Sequence, residues 1–271
     1  MKTDEHRYRV EREFHDQWAR EVDVNRLDPE RMFRCPAIPE SRYSIECLGD
    51  LRGKRVLDLG CGYGETSIYL ALQGAQVAAV DLSPEMIRRT EELARKYRVE
   101  GSVTTSVQNA EGLSFEDECF DVVYGQDVLH HTRLDKSIPE IHRVLRKGGK
   151  GCFSEPLGHN WIINFFRRIS PEIRTEDEHP LILRDIRSFR KWFRNVQHKE
   201  FHLTTLVLFL WFQVLDFFHK KRDGRPWKQL IEESDRYLLP IKIFFALDRC
   251  LFTVIPFLKR YCRMMVISFE K

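Results

Sequence analysis

From Lys54 onward, short apolar runs alternate with stretches of helical period, an order that predicts βαβ units and a parallel sheet. Val56 to Leu59 reads as a first strand, Glu65 to Leu72 as a helix stopped at Gly74, and Gln76 to Val80 as a second strand. Ser83, Pro84 and Glu85 supply an N-cap, a proline at the first helical position and an acid in the first turn, so a helix is expected to run on to Lys96. Ser102 to Gln108 and Phe120 to Tyr124 read as the third and fourth strands. A helix over Lys136 to Leu145 is expected to end at Gly148-Gly149, ahead of a fifth strand over Lys150 to Ser154.

The flanks are less regular. Residues 1 to 24 read as a charged helix with Val10, Phe14 and Trp18 on one face, and residues 25 to 53 as a loop and a helix. Beyond Pro156 come a short basic amphipathic stretch, Trp161 to Arg168, and a charged loop, Arg174 to Pro180, read either as a solvated loop or as a clamp over a site. A helix follows over Asp185 to Phe193, with strands over Val196 to His202 and Arg263 to Phe269. About sixty residues separate those last two strands, where a short hairpin is the usual connection. The pattern as a whole predicts an α/β fold: a doubly wound, seven-stranded, mostly parallel sheet with a helical insertion between the last two strands. Residues 1–53 are read as a lid, 54–203 with 263–271 as the core, and 204–262 as the insertion.

That insertion is the unusual part. Thr204 to Phe218 is apolar almost all round, which predicts a buried helix, and His219-Lys220-Lys221-Arg222 follows it. A second apolar stretch runs from Leu238 to Leu258 and ends at Lys259-Arg260. Both are too short or too interrupted to span a bilayer. Three readings stand side by side: a cap packed on the core, a homo-oligomer interface, and a pair of helices lying in a membrane surface with basic flanks.

Charge adds little over the whole chain, which carries 44 Lys+Arg against 41 Asp+Glu, a balance that gives no field calling for nucleic acid. Its distribution says more: residues 201 to 271 hold 12 basic against 7 acidic side chains, so the excess lies in the C-terminal quarter. The seven cysteines form no C-x-x-C pair and have no histidine at finger spacing, so a reducing compartment and no metal are expected. The charged start, Met1 to Arg7, lacks the apolar core of a secretory signal, which predicts a cytoplasmic protein, with peripheral membrane contact under the third reading of the insertion.

The chemistry concentrates at the first strand. Val56-Leu57-Asp58-Leu59 leads into Gly60-Cys61-Gly62-Tyr63-Gly64, and Asp81 closes the second strand. The glycines read G-x-G-x-G, where a dinucleotide fingerprint reads G-x-G-x-x-G. An ionised Asp58 at the mouth of the turn repels a diphosphate and favours a ligand carrying an ammonium and a sulfonium, which points to S-adenosylmethionine. Asp81 is placed to accept from both ribose hydroxyls, and Cys61 reads as a small residue fitting the turn.

These residues resemble class I S-adenosylmethionine-dependent methyltransferases, in particular the small-molecule branch that includes ubiquinone-type and natural-product enzymes. Leu57 to Gly64 is similar to the first motif of that family, and Val80 to Met86 resembles its ribose-binding turn, with Leu82 against the adenine. Asn109 to Phe115 resembles the adenine-reading stretch, with Asn109 where an aspartate is common and Ala110 beside it. Phe120 to His131 resembles the fourth strand and its exit loop, which in the family runs beside the transferable methyl. Val144 to Gly149 resembles the turn before strand five. The likeness covers residues 54 to about 156 and thins outside, although Phe14 to Ala19 resembles the opening helix that folds over the cofactor, making Phe14, His15 and Trp18 lid residues.

Methyl transfer asks the protein mainly to align a nucleophile and exclude water, with a base only where the acceptor must lose a proton. The candidates for that base are His130, Glu155 and His159, beside the lid residues His15 and Trp18, with His130 read as facing the substrate and His131 as structural. Gln126 is read as holding the methionine part of the cofactor. The expected partner is a hydrophobic small molecule, prenylated, polyketide or lipid-like, methylated at oxygen or carbon. The alternatives are a nucleic-acid methyltransferase, against which the lack of an Asn-Pro-Pro-Tyr-like motif after strand four speaks, and a non-catalytic cofactor-binding protein at a membrane.

Overall fold

The computed structural model describes residues 4–169, 174–175, 177–208, 210–211, 231 and 234–271. A seven-stranded sheet organises them, in the order β3-β2-β1-β4-β5-β7-β6. The strands are β1 (Arg55–Leu59), β2 (Gln76–Asp81), β3 (Val103–Val107), β4 (Phe120–Gln126), β5 (Leu145–Pro156), β6 (Arg194–Phe201) and β7 (Met264–Glu270). β1 pairs in parallel with β2 and β4, β2 with β3, and β4 with β5, whereas β7 runs antiparallel to both its neighbours. The seven-stranded, mostly parallel sheet is the one the sequence pattern predicts. β1 has its neighbours on opposite sides of the order, which opens a crevice at its carboxyl end, where open α/β sheets bind ligands.

Local chemistry sets the helices. In α5 (Pro84–Tyr97) the Ser83 hydroxyl accepts from Met86 N at 3.1 Å, with Pro84 at the first position, as its sequence predicts. α4 (Glu65–Leu72) starts from Gly64 at φ +86°, a left-handed conformation natural to glycine. The helix expected over Lys136 to Leu145 is α6 (Leu134–Val144). It stops before the glycine pair because Leu145 already pairs with Phe120 and so begins β5, leaving Gly148-Gly149 inside an irregular stretch of that strand.

Two cores fill the faces of the sheet, one including Val56, Ile68, Leu93 and Tyr124, the other Leu57, Val123, Phe153 and Phe269. Ahead of the sheet lie α1 (Asp4–Arg20), α2 (Pro29–Arg34) and α3 (Pro39–Leu48). A third, smaller core joins Met32, Phe33 and Ile38 from this N-terminal segment to Leu206 and Ile241 from the insertion. Lid and insertion are therefore packed together over the crevice.

The insertion departs from the expectation of burial. Of the stretch Thr204 to Phe218, Leu206 is buried but Val207 and Trp211 are exposed, and residues 212–218 lie outside the described residues. In α9 (Leu238–Val254), which comes after the short α8 (Ile186–Arg190), only Ile241 and Asp248 are buried, while Leu239, Ile243, Leu247 and Val254 face outward. No described helix is long and apolar enough to cross a membrane.

Candidate active site

β1 delivers Asp58 and the glycine turn to the crevice. Gly60 and Gly62 have φ of +72° and +54°, and a Cβ on Gly60 would stand 2.6 Å from Val128 Cγ2, so the close approach of the β4 exit loop requires glycine there. Asp81, at the end of β2, accepts from Gly62 N at 3.0 Å and from Ser83 N at 2.9 Å. Each oxygen keeps capacity toward the cavity, and the carboxylate fixes the glycine turn as well as presenting an acceptor.

Asp58 is almost fully buried, with Ser67 Oγ donating to it at 2.5 Å. Burial pushes its carboxyl up to about 7, against the Ser67 hydrogen bond and with help from the nearby Asp81. This amends the reading of a permanently ionised carboxylate: the ligand-free group titrates near neutrality, and a cation beside it completes the charge. Asn109 likewise does more than face a ligand, since its side-chain oxygen accepts from Glu111 N at 2.9 Å and sets the turn.

A cavity of about 550 Å³ opens above these residues. Asp58, Gly60, Cys61, Gly62, Asp81, Leu82, Asn109, Ala110 and Gln126 line it, together with Phe14, His15 and Trp18 from α1. Gly64 does not; a Cβ there would press within 2.9 Å of the Thr90 backbone, so this glycine serves the packing of α4 on α5. The outer segments add apolar lining, Met32 and Ile38 from the lid, Ile163 from α7 (Trp161–Ile169), and Leu206, Leu210 and Ile231 from the insertion, beside the charged Glu40, Arg167, Arg174 and Arg263.

The three candidate bases fare differently. Glu155 is fully buried and outside the cavity wall. Its Oε1 accepts from Val128 N and Leu129 N at 3.0 and 2.8 Å, and its Oε2 faces His130 Nδ1 at 2.7 Å, so it shapes the exit loop and has no path to a substrate. His159 also lies off the cavity, where its Nε2 accepts from Leu183 N at 3.2 Å. His130 reaches the cavity but is held between two carboxylates, Glu155 on Nδ1 and Glu178 on Nε2 at 3.4 Å. Burial opposes the charged ring, yet these carboxylates raise it to about 10, leaving an imidazolium with no free lone pair. The assignment of the adjacent histidines is therefore reversed: His130 is structural, and His131, kept neutral by burial and by the cationic His130, turns toward the lid.

Contacts that sequence reasoning missed hold the lid down. Glu111 receives Arg7 Nη2 at 2.6 Å and Tyr8 OH at 2.7 Å, and Arg7 Nη1 donates to His131 O at 2.9 Å. Asp16 bonds the Ser83 hydroxyl. Of the charged loop, Thr175 bonds Glu11 and Glu178 pairs with Arg167, so its described residues close over the site as a clamp. Glu11 itself, buried and facing His131 and His15, lay unnoticed on a helix read for its apolar face.

Residues 57–153 match a family described as a methyltransferase domain. Over 123 residues the chain is 37% identical to the ubiquinone/menaquinone biosynthesis C-methyltransferase of Yersinia enterocolitica, which takes in 43% of this chain and 49% of that protein. The central stretch is a class I S-adenosylmethionine-dependent methyltransferase domain. A sarcosine/dimethylglycine N-methyltransferase of Halorhodospira halochloris is 32% identical over 129 residues, 45% of this chain and 46% of that one. The chain thus spans about half the length of these curated relatives. The fold likeness reaches beyond the methyltransferase domain: a Haemonchus contortus phosphoethanolamine N-methyltransferase superposes with a TM-score of 0.61 at 21% identity, over 86% of this chain and 52% of that one. A geranyl diphosphate C-methyltransferase of Streptomyces coelicolor gives 0.61 at 15% identity, over 86% and 78%.

Proposed function

We propose that this protein transfers a methyl group from S-adenosylmethionine to an oxygen or carbon of a hydrophobic small molecule, prenylated, polyketide or lipid-like, that it meets at a membrane surface. One observation carries the reading: a single cavity runs from the glycine turn and Asp81 to apolar lining shared by lid and insertion. Its volume falls in the range of small-molecule sites. The relative from Yersinia, by its name a C-methyltransferase of quinone biosynthesis, supports the acceptor class.

The residues fit the donor. Asp81 offers carboxylate oxygens to a ribose, the Gly60–Gly62 backbone allows close approach, and Asp58 supplies charge where a cation is to sit. When bound, S-adenosylmethionine supplies a sulfonium-activated methyl for in-line displacement. The chain's own work is positional: Phe14 and Trp18, with ring centroids 4.8 Å apart, cover the crevice, and the Glu111 latch keeps α1 closed against water.

The test is incubation of labelled donor with extracts of the source organism and identification of the labelled product, which this reading expects to be lipophilic. Calorimetry with Asp81→Ala is expected to show donor affinity lower by about 1–3 kcal/mol, through lost charge-assisted bonds. Donor binding without transfer to any extract would instead favour a non-catalytic binding protein. Labelled RNA would favour a nucleic-acid enzyme.

A further inference from the structure

α1 places Glu11 and His15 four residues apart, hence on one face of the helix, and the loop after β4 brings His131 against them. Glu11 Oε2 stands 3.1 Å from His131 Nδ1 and 3.5 Å from His15 Nε2. Glu11 Oε2 and His131 Nδ1 are buried, and beyond the Glu11–His131 and Glu11–His15 contacts neither atom has a hydrogen-bond partner. Burying a carboxylate oxygen and an imidazole nitrogen with no hydrogen bond beyond their mutual contact is costly, and an ion bound by both atoms would offset that cost.

The spacing says which. Ligand atoms at about 2.1 Å from a zinc-sized ion are separated by roughly 3.0 Å along an octahedral edge and roughly 3.4 Å along a tetrahedral one. The two observed separations fall at those edges, and the three candidate ligand atoms all lie within 4.8 Å of one another. The other Glu11 oxygen receives the Thr175 hydroxyl, an outer contact of the kind that aims a ligating carboxylate. All three side chains line the cavity.

The geometry points to a divalent transition-metal site made by Glu11, His15 and His131 at the lid side of the cavity. Two imidazoles and one carboxylate suit zinc, iron(II), cobalt or manganese rather than magnesium or calcium. Three protein ligands leave positions open toward the cavity, where an acceptor hydroxyl would bind with release of its proton to bulk solvent; the oxygen would then form the bond to the methyl carbon as the carbon–sulfur bond breaks and the donor leaves as a neutral thioether. That role rests on the proposed methyl transfer; the binding of the ion does not. No finger-type spacing announces such a site, because its third ligand arrives 116 residues after the second.

Chelator-stripped protein titrated with cobalt(II) tests it without any methyl transfer. The expected result is one equivalent bound, with weak visible d–d bands and no intense thiolate charge transfer, displaceable by zinc. Glu11→Gln and His15→Asn are each expected to weaken uptake by at least about 100-fold, the upper end of what even outer-contact losses cost. Cys47→Ser, on α3 and outside the cavity lining, is expected to leave uptake unchanged. Near-UV circular dichroism and the unfolding temperature check that each variant folds, and His131→Asn serves where one does not. Absence of cobalt uptake by the wild type, or uptake unaltered in folded Glu11 and His15 variants, overturns the site.

Discussion

His130 Nδ1 lies 2.7 Å from Glu155 Oε2, and both side chains are buried beneath the loop that borders the cavity. Besides the ring, Glu155 takes the N–H groups of Val128, Leu129 and His130, at 3.0, 2.8 and 3.3 Å. Glu155→Gln keeps the volume but turns one acceptor into a donor facing donors. Because it breaks a buried pair by altering one partner, it is expected to lower the unfolding free energy by about 3–5 kcal/mol, read by urea denaturation. An unchanged midpoint would show that the exit loop does not depend on Glu155.

The same pair makes stability depend on pH in a defined window. The His130 pKa is raised from 6.5 to about 10, so the folded state binds the proton more tightly than the unfolded state. The stabilisation is complete below about pH 6.5 and fades as the pH climbs through 10. Thermal unfolding of the wild type is therefore expected to weaken between pH 7 and pH 10 more steeply than that of His130→Gln, since the difference between the two removes the contribution of all other titrating groups. Parallel profiles would place the proton elsewhere.

These two residues also mark where sequence reading stops. Asp58, the glycine turn and Asp81 were legible because a strand, a tight bend and a strand end lie within one local unit, where spacing alone fixes geometry. The sheet followed from the alternation of apolar runs for the same reason. Which of His130 and His131 is held between carboxylates was not legible: it depends on Glu155 and Glu178, 25 and 48 residues beyond His130, and on Glu11, 120 residues before His131. Glu155 looked exposed because strand ends in such sheets open on ligand, but here its carboxylate is turned back to cap the neighbouring loop. The exposure of Val207 and Trp211 was misjudged because an all-apolar pattern reports on hydrophobicity and says nothing about what covers it.

Asp58 predicts a proton linked to donor binding. With its pKa raised to about 7 by burial, the ligand-free carboxyl is partly protonated at neutral pH, while a cationic ligand favours the ionised form. The donor is expected to bind more tightly as pH rises from 6 to 8 and to release a proton on binding. In the absence of ligand the sign is opposite for folding: the folded state gains from the bound proton below about pH 4 and loses that gain as the pH rises through 7. Calorimetry in two buffers of different ionisation enthalpy reads the released proton directly. Asp58→Asn should abolish it, and equal proton release in wild type and variant would remove Asp58 from that role.

The exposed side of the insertion bears on where the acceptor is met. Trp161 and Leu239 are 73% and 70% exposed, with Phe165, Ile243, Leu247, Val254 and Phe257 also open to solvent. Asn160 Nδ2 donates to Tyr261 O at 2.5 Å, which ties α7 to the turn that follows α9. Asp248 is the one acidic residue between Leu238 and Tyr261, and it is buried beneath Thr204, whereas Lys242, Arg249 and Lys259 are exposed. An apolar face with exposed cations and, from Leu238 to Tyr261, no exposed acid is complementary to an anionic lipid surface. The protein is expected to float with vesicles containing phosphatidylserine, less so as salt increases, and hardly at all with neutral vesicles. With each basic residue near such a surface contributing about 1 kcal/mol, Lys242→Ala with Arg249→Ala should weaken partition by roughly 30-fold, and Trp161→Ser with Leu239→Ser should weaken it toward both lipid types. If sedimentation without lipid instead shows a dimer that the serine substitutions dissociate, the face belongs to a second copy of the chain and the membrane reading falls.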